Sequence, residues 1–242
     1  MLTGPGYLFR GLKLLTQPGV RLYVILPLLI NILLFTAAIW FGLSQFDGWL
    51  EWLMGKLPEW LQWLSWIMYL LFVVVLFLVV FFTFSLLANI VASPFNDFLC
   101  TAVIRHLTGS NPPDAAQQGN LIQQAIKSIS DEAGKFAYFI IRALPLLILF
   151  IIPGVNLAAP AIWFVFTAWM LSREYLEYPM SQYQLDFSRQ KLELSNRKML
   201  SLGFGASVSV FTMIPFVNFL VMPAAVAGAS ALYVEKMLQE KK

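Results

Sequence analysis

The sequence predicts an all-α integral membrane protein: two full transmembrane helices plus two half-penetrating (re-entrant) helical hairpins, with interfacial amphipathic and cytoplasmic helices. Three observations predict it. Of 242 residues, 59% belong to the A/V/I/L/M/F/W/Y/C class and only 12% are charged, for a mean hydropathy of +0.73. Soluble globules of this size carry about twice that charged share to cover their surface. Two uncharged stretches, 22–42 and 60–96, are long enough to cross a bilayer. Two later apolar stretches, 143–172 and 199–234, are each broken by a proline-containing turn of similar wording. Soluble enzyme classes are excluded at the outset.

The elements follow in order as one membrane domain over 1–242. Residues 1–19 form an interfacial amphipathic helix, with Leu8, Leu12 and Leu15 on one face and Arg10, Lys13 and Gln17 on the other. That pattern suits the headgroup plane, basic side toward lipid phosphates. The helix stops at Gln17-Pro18-Gly19, a turn signal. Span 1 covers 22–42, roughly 31 Å as a helix, about one bilayer core; Pro27 falls in its first turns, where proline is tolerated best. Span 2 covers 67–91, the Leu/Val/Phe-rich centre of the second uncharged run. Trp49, Trp52, Trp60, Trp63 and Trp66 crowd the intervening loop as an aromatic belt. Of the 16 Lys/Arg, that loop holds only Lys56, against Asp47, Glu51 and Glu59. The positive-inside bias puts both termini in the cytoplasm and the Trp-rich loop outside. The first apolar stretch is too long for the h-region of a cleaved leader and lacks a small-residue exit.

Residues 120–171 comprise an amphipathic helix, with Ile122, Ala125, Ile129 and Ala133 on one face, and hairpin 1. Hairpin 2 occupies 199–234, and 172–198 is a cytoplasmic helical excursion. The hairpin tips read Ile152-Pro153-Gly154-Val155-Asn156 and Ile214-Pro215-Phe216-Val217-Asn218, each followed by a second proline, Pro160 and Pro223. The arms of hairpin 1, Ala143–Ile152 and Ala161–Leu171, reach roughly 15 Å each, half a bilayer core. Short, Pro/Gly-broken apolar pairs in two corresponding places point to re-entrant elements beside a permeation path. The alternative is two full hairpins with Arg142 snorkelling, and charge sidedness is the same for both.

Chemistry-bearing motifs are few. One cysteine, Cys100, leaves no intramolecular disulfide, and one histidine, His106, leaves no metal constellation. No Gly-rich phosphate loop, no nucleophilic set and no dense Lys/Arg run occur, so no cofactor, metal or nucleic acid is expected. Gly4, Gly6, Gly203 and Gly205 read as turn or helix-packing residues. The feature with the clearest chemistry is Gln17-Pro18-Gly19-Val20-Arg21. A turn opening a helix offers unpaired backbone N–H groups and a positive dipole end, and a guanidinium adds planar donors. The turn, the helix start and Arg21 together make a site for a tetrahedral anion at the cytoplasmic face; the bland alternative is that Arg21 is a positive-inside anchor. Arg142 at the base of hairpin 1, and Arg173, Glu174 and Glu177 beyond its second arm, either face a water-filled cavity or sit at the interface. Asn31, Asn89, Asn156 and Asn218 either line a polar path or bond neighbouring helices. Asp97, Glu174 and Glu177 are the carboxylates placed for proton coupling.

The sequence resembles the bacterial sulfate permease family CysZ over nearly its whole length. The resemblance rests on Gln17-Pro18-Gly19-Val20-Arg21, the stretch from Ile25 to Leu34, Pro58 to Ser65, Ala92-Ser93-Pro94-Phe95-Asn96, Ile152-Pro153-Gly154 and Phe211-Thr212-Met213-Ile214-Pro215. It implies a multi-pass bacterial inner-membrane protein that brings sulfate in for cysteine biosynthesis. It also implies two spans, two half-penetrating hairpins, cytoplasmic termini and a homo-oligomer, a dimer or larger, antiparallel in some members. Family sulfate binding uses a Pro-Gly-x-Arg-Arg segment, which falls on Gly19, Val20 and Arg21; Leu22 stands where the second arginine would be. Two other readings remain: a non-transporting membrane scaffold, and a permease for another oxyanion such as phosphate, selenate or thiosulfate.

Overall fold

A computed structural model describes residues 3–56, 65–113, 121–214 and 217–238, the side chains of 79–93 and 121–132 among those excepted. The described residues are helical, with no strand among them. The helices are α1 (Gly4–Leu15), α2 (Leu22–Met54), α3 (Ser65–Thr108), α4 (Leu121–Leu149), α5 (Ala159–Gln182), α6 (Phe187–Asn196), α7 (Lys198–Thr212) and α8 (Asn218–Leu232). A 3-10 turn, Val155–Leu157, precedes α5, and a π turn, Tyr233–Leu238, extends α8. The chain divides into two units, residues 23–95 and residues 1–22 with 96–242.

In the unit 23–95, Leu22–Gly42 of α2 is long and apolar enough to cross a membrane, and none of it is buried within the protein. Bare Leu, Ile and Trp side chains along a whole helix are stable only against lipid or another apolar surface. The helix continues past Gly42 to Met54, 33 residues in all. Trp49 rests edge-on against Phe41, centroids 6.3 Å apart, and the Lys56 ammonium lies 4.0 Å above the Trp52 ring. Trp60 and Trp63 lie outside the described residues. Helix α3 is 44 residues long, apolar over Tyr69–Leu78, with Pro94 inside it.

The other unit is built on backbone contact between small residues. Helix α8 supplies its centre: Ala224, Ala225, Val226, Ala227, Ala229, Ala231 and Leu232 are fully buried. Helix α1 packs on α8 and α7, and α5 on α7. A Cβ added at Gly11 would stand 2.0 Å from the Ala224 carbonyl oxygen, and one at Gly228 would stand 2.5 Å from that of Tyr7. At Gly205 it would stand 1.8 Å from the Ala168 carbonyl oxygen. Each distance is far inside van der Waals contact, so only glycine lets these backbones approach. Side chains lock the seam: Arg10 pairs with Glu235, and the Tyr7 hydroxyl donates to Glu235 Oε2 at 3.3 Å. From α3, Leu99, Cys100, Val103 and Ile104 fill the same core, where the Ser230 hydroxyl donates to Cys100 Sγ at 3.2 Å.

Two expectations meet a different arrangement. The apolar face of α1 lies against protein rather than lipid: Tyr7, Leu8, Gly11, Leu14 and Leu15 are buried, while Leu12 is half-buried. Leucine spacing alone does not distinguish a lipid face from a protein face; the glycines at 4 and 11, which permit docking, do. Second, α4 runs unbroken from the amphipathic segment into the first arm of hairpin 1, and α5 continues past Leu171 to Gln182. The first charge, Arg173, marks no helix end, because caps and turns end helices and charges do not. Of the expected α4 face, the side chains at 122, 125 and 129 lie outside the described residues, and Ala133 is exposed.

Replacing Gly11 with leucine is expected to lower the thermal midpoint, with an overpacking cost of about 1–3 kcal/mol or more, measurable by fluorescence-detected melting. Cys100 is fully buried and its thiol is pushed up to about 12, chiefly by burial. A maleimide at neutral pH is therefore expected to label it only after denaturation.

Candidate functional site

Arg21 stands at the exit of a tight turn. Helix α1 ends at Leu15, and Gly19 takes φ +85°, the left-handed region that glycine enters without strain. The Gln17 carbonyl accepts from both Val20 N–H and Arg21 N–H at 3.1 Å. Those two amides are therefore already engaged, and an anion here would meet the guanidinium and the start of α2. Val20 is buried and pins the turn, while Gly19 and Arg21 are exposed. Arg21 makes no ion pair among the described residues.

A second concentration of charge lies at the base of hairpin 1. Its two arms are joined by an aromatic ladder: Phe150 meets Trp163 at 6.1 Å, Trp163 meets Phe166 at 5.5 Å, and Phe166 meets Phe139 at 5.6 Å. The Trp169 indole then donates to the Tyr138 hydroxyl at 2.9 Å. The guanidinium of Arg142 lies 3.5 Å from the Tyr138 ring centroid and that of Arg173 4.1 Å from it. Arg173 also lies 4.8 Å from the Phe187 ring of α6, and Lys191 of α6 is 6.0 Å from Tyr138. Arg142 is exposed and donates to the Tyr138 carbonyl at 3.4 Å, whereas Arg173 is only 8% exposed. Glu177 pairs with Lys135.

Three carboxylates gather beside this base. Asp97 and Glu174 are exposed at the surface, yet surrounding protein raises the pKa of each carboxyl, and the charge of Glu177 raises both further. Next to Asp97, the Asn96 amide donates to the Tyr178 hydroxyl at 3.4 Å. The carboxylates singled out for proton coupling thus interact electrically.

The asparagines are not brought together in this way. At both hairpin tips the asparagine N–H donates to the isoleucine carbonyl four residues back, Asn156 to Ile152 at 3.0 Å and Asn218 to Ile214 at 3.1 Å. The repeated Ile-Pro-x-Val-Asn wording is matched by a repeated bond, and both asparagines are exposed. Asn31 Oδ1 is buried with no hydrogen-bond partner. Asn89 is on α3, its side chain outside the described residues.

The family model described as sulfate transporter CysZ/etoposide-induced protein 2.4 matches residues 7–223. The chain belongs to that family. The CysZ resemblance read from the residues is thereby shown, and the match takes in the turn at Gly19–Arg21, both long helices and hairpin 1. Membership of the sulfate transporter CysZ/etoposide-induced protein 2.4 family places the chain in a transporter family rather than an enzyme family. Among the described residues, no group of three His, Cys, Asp or Glu is placed to hold a metal. Sequence reasoning named Arg142 and Arg173 but passed over Tyr138 and Lys191. The available signal was spacing: Tyr138 and Arg142 are i, i+4 on one helix, hence on one face.

A carboxyl whose folded pKa is raised contributes stability that is complete below its unfolded pKa and lost as pH rises through the folded value. Glu174→Gln is therefore expected to melt higher than the parent at neutral pH. The difference should shrink as pH falls through the raised folded pKa toward the ordinary carboxylate range, as followed by thermal melts across pH.

Proposed function

We propose that the protein is a sulfate permease of the bacterial inner membrane, taking up sulfate for assimilation into cysteine by a channel-like or facilitated route. The observation that carries this reading is an exposed guanidinium at Arg21, without an ion pair among the described residues, at a glycine turn opening a membrane-length apolar helix in a chain of this transporter family. Gly19 shapes the turn, Val20 anchors it, and Arg21 supplies the planar donors an oxyanion needs.

The layout is multi-pass, with 22–42 and 67–91 crossing the bilayer, 1–19 at the interface and both termini cytoplasmic. Hairpin 1 (within 120–171) and hairpin 2 (199–234) enter halfway, and 172–198 stays outside the lipid. Exposed apolar side chains support this placement. They reach the tips, at Leu147, Ile148, Ile151 and Leu157 in one hairpin and Val210, Met213, Ile214 and Leu220 in the other, and continue down the first arm of hairpin 1 at Ile141 and Leu144. The bases carry Arg142, Arg173 and Glu235, with Ile141 and Met199 exposed beside them. Backbone at a mid-membrane tip is tolerated only within protein or beside water. The bare face of α2 suits lipid and a second copy of the chain, so the working form is a homo-oligomer. Within the unit that holds the hairpins, Asn156 and Asn218 are the candidate path residues at the tips, and Arg142, Glu174 and Glu177 those at the base of hairpin 1.

Energetics set the direction of use. Two negative charges moving inward against 100 mV cost about 4.6 kcal/mol, more than a thousandfold in concentration ratio. Passive uptake therefore proceeds only where assimilation keeps cytoplasmic sulfate very low.

Radiolabelled sulfate uptake into proteoliposomes tests the proposal. Uptake is expected above empty vesicles and, at subsaturating sulfate, about ten- to a hundredfold lower for Arg21→Ala, the loss of one charge-assisted contact of about 1.5–3 kcal/mol. Equal uptake by both would remove Arg21 from the site. No uptake by folded protein would favour a scaffold, and competition by phosphate, selenate or thiosulfate would reassign the anion.

A further inference from the structure

Arg173 is an anomaly that the Arg21 site does not use. Its side chain is more than nine-tenths buried, yet Nε and Nη1 have no hydrogen-bond partner. A buried charge with donors left unpaired is costly, and an incoming anion would relieve that cost. What holds the guanidinium in place is contact with two rings, Tyr138 at 4.1 Å and Phe187 at 4.8 Å, themselves set edge-to-face at 81°. Rings at 81° to each other let the guanidinium lie flat on at most one of them; the Tyr138 hydroxyl accepts one hydrogen bond from it, and Nε and Nη1 are left for a further acceptor.

The surroundings are short of negative charge. Arg142 stacks on the same tyrosine and Lys191 lies over it, so three cations from α4, α5 and α6 converge on one ring. Arg142 and Arg173 repel each other across it. The nearby carboxylate that favours the charge on Arg173 is Glu177, which is already paired with Lys135. A group with several acceptor oxygens and more than one negative charge fits such a cluster; a monovalent spherical anion would leave the planar donors poorly matched.

We propose that the base of hairpin 1 is a second tetrahedral-oxyanion site, separate from Arg21, in which Arg173, Arg142 and Lys191 around Tyr138 hold inorganic sulfate or the phosphate of a lipid headgroup. The sulfate alternative rests on the permease reading; the presence of an oxyanion site does not.

Binding of radiolabelled inorganic sulfate to the full-length protein in detergent, without uptake, tests it. The informative background is Arg21→Ala. Sulfate binding is expected to persist there and to fall at least tenfold on adding Arg142→Gln or Lys191→Gln, exposed positions whose replacement leaves the core intact. Arg173→Lys, which keeps the charge and loses the planar donors, is expected to weaken it comparably. A parallel arm measures retention of phosphatidylglycerol by native mass spectrometry. Lipid retention that falls in Arg142→Gln, with no sulfate bound at this base, assigns the site to a lipid phosphate. If neither probe responds to Arg142→Gln or Lys191→Gln while the parent still binds sulfate through Arg21, the second site is refuted and the permease reading stands. Should neither probe bind the parent at all, both sites are overturned together, and proteoliposome uptake decides the permease separately.

Discussion

Backbone touching backbone is the constraint on which the larger unit depends. Helices α1, α5, α7 and α8 pack with carbonyls of one against glycines of the next, at Gly11 on Ala224, Gly228 on Tyr7 and Gly205 on Ala168. Inside a membrane or at its edge, apolar side chains gain little from one another that lipid would not supply, so close approach and dispersion carry the association. The rest follows from that intimacy: α8 can be alanine-rich and still fully buried, and the end of α3 can fill the remaining space with Leu99, Cys100 and Val103.

Charge is distributed accordingly. Each hairpin keeps charges off its tip and gathers them at its base, where the partners differ. Hairpin 2 ends in Glu235, neutralised by Arg10 of α1. Hairpin 1 ends in arginines stacked on Tyr138, with Glu177 already committed to Lys135. The turn at Gly19–Arg21 offers a further guanidinium, whose neighbouring amides are satisfied by Gln17. Recognition at that turn therefore depends on a side chain more than on a backbone nest.

Much of the helical layout was legible in the sequence because it rests on long-period signals. Uncharged runs gave α2 and the apolar part of α3, and the repeated Ile-Pro-x-Val-Asn gave two tips that share a hydrogen bond. Finer features were not legible, for specific reasons. Leu8, Leu12 and Leu15 describe an apolar stripe and not what covers it; the answer lay in Gly4 and Gly11, whose meaning depends on partners near the far end of the chain, Phe204 for one and Ala224 for the other. The continuation of α5 through Arg173 escaped notice because a charge was taken for a boundary. At the candidate site, Arg142 and Glu177 were picked out for their position beside apolar segments. The ring that organises the arginines, Tyr138, and the contribution of α6 through Phe187 and Lys191 required the tertiary fold.

Helix α5 is one continuous rod of 24 residues, with its first half in the second arm of hairpin 1 and its second half carrying Arg173, Glu174, Glu177 and Tyr178. A rod couples its ends mechanically. Pivoting it by 10° near Leu171 would sweep the tip end by roughly 3 Å, given ~1.5 Å of rise per residue. The same pivot would shift the arginine against its tyrosine and the carboxylates against each other. A force at the tip and a force at the base would therefore act on opposite ends of a single lever.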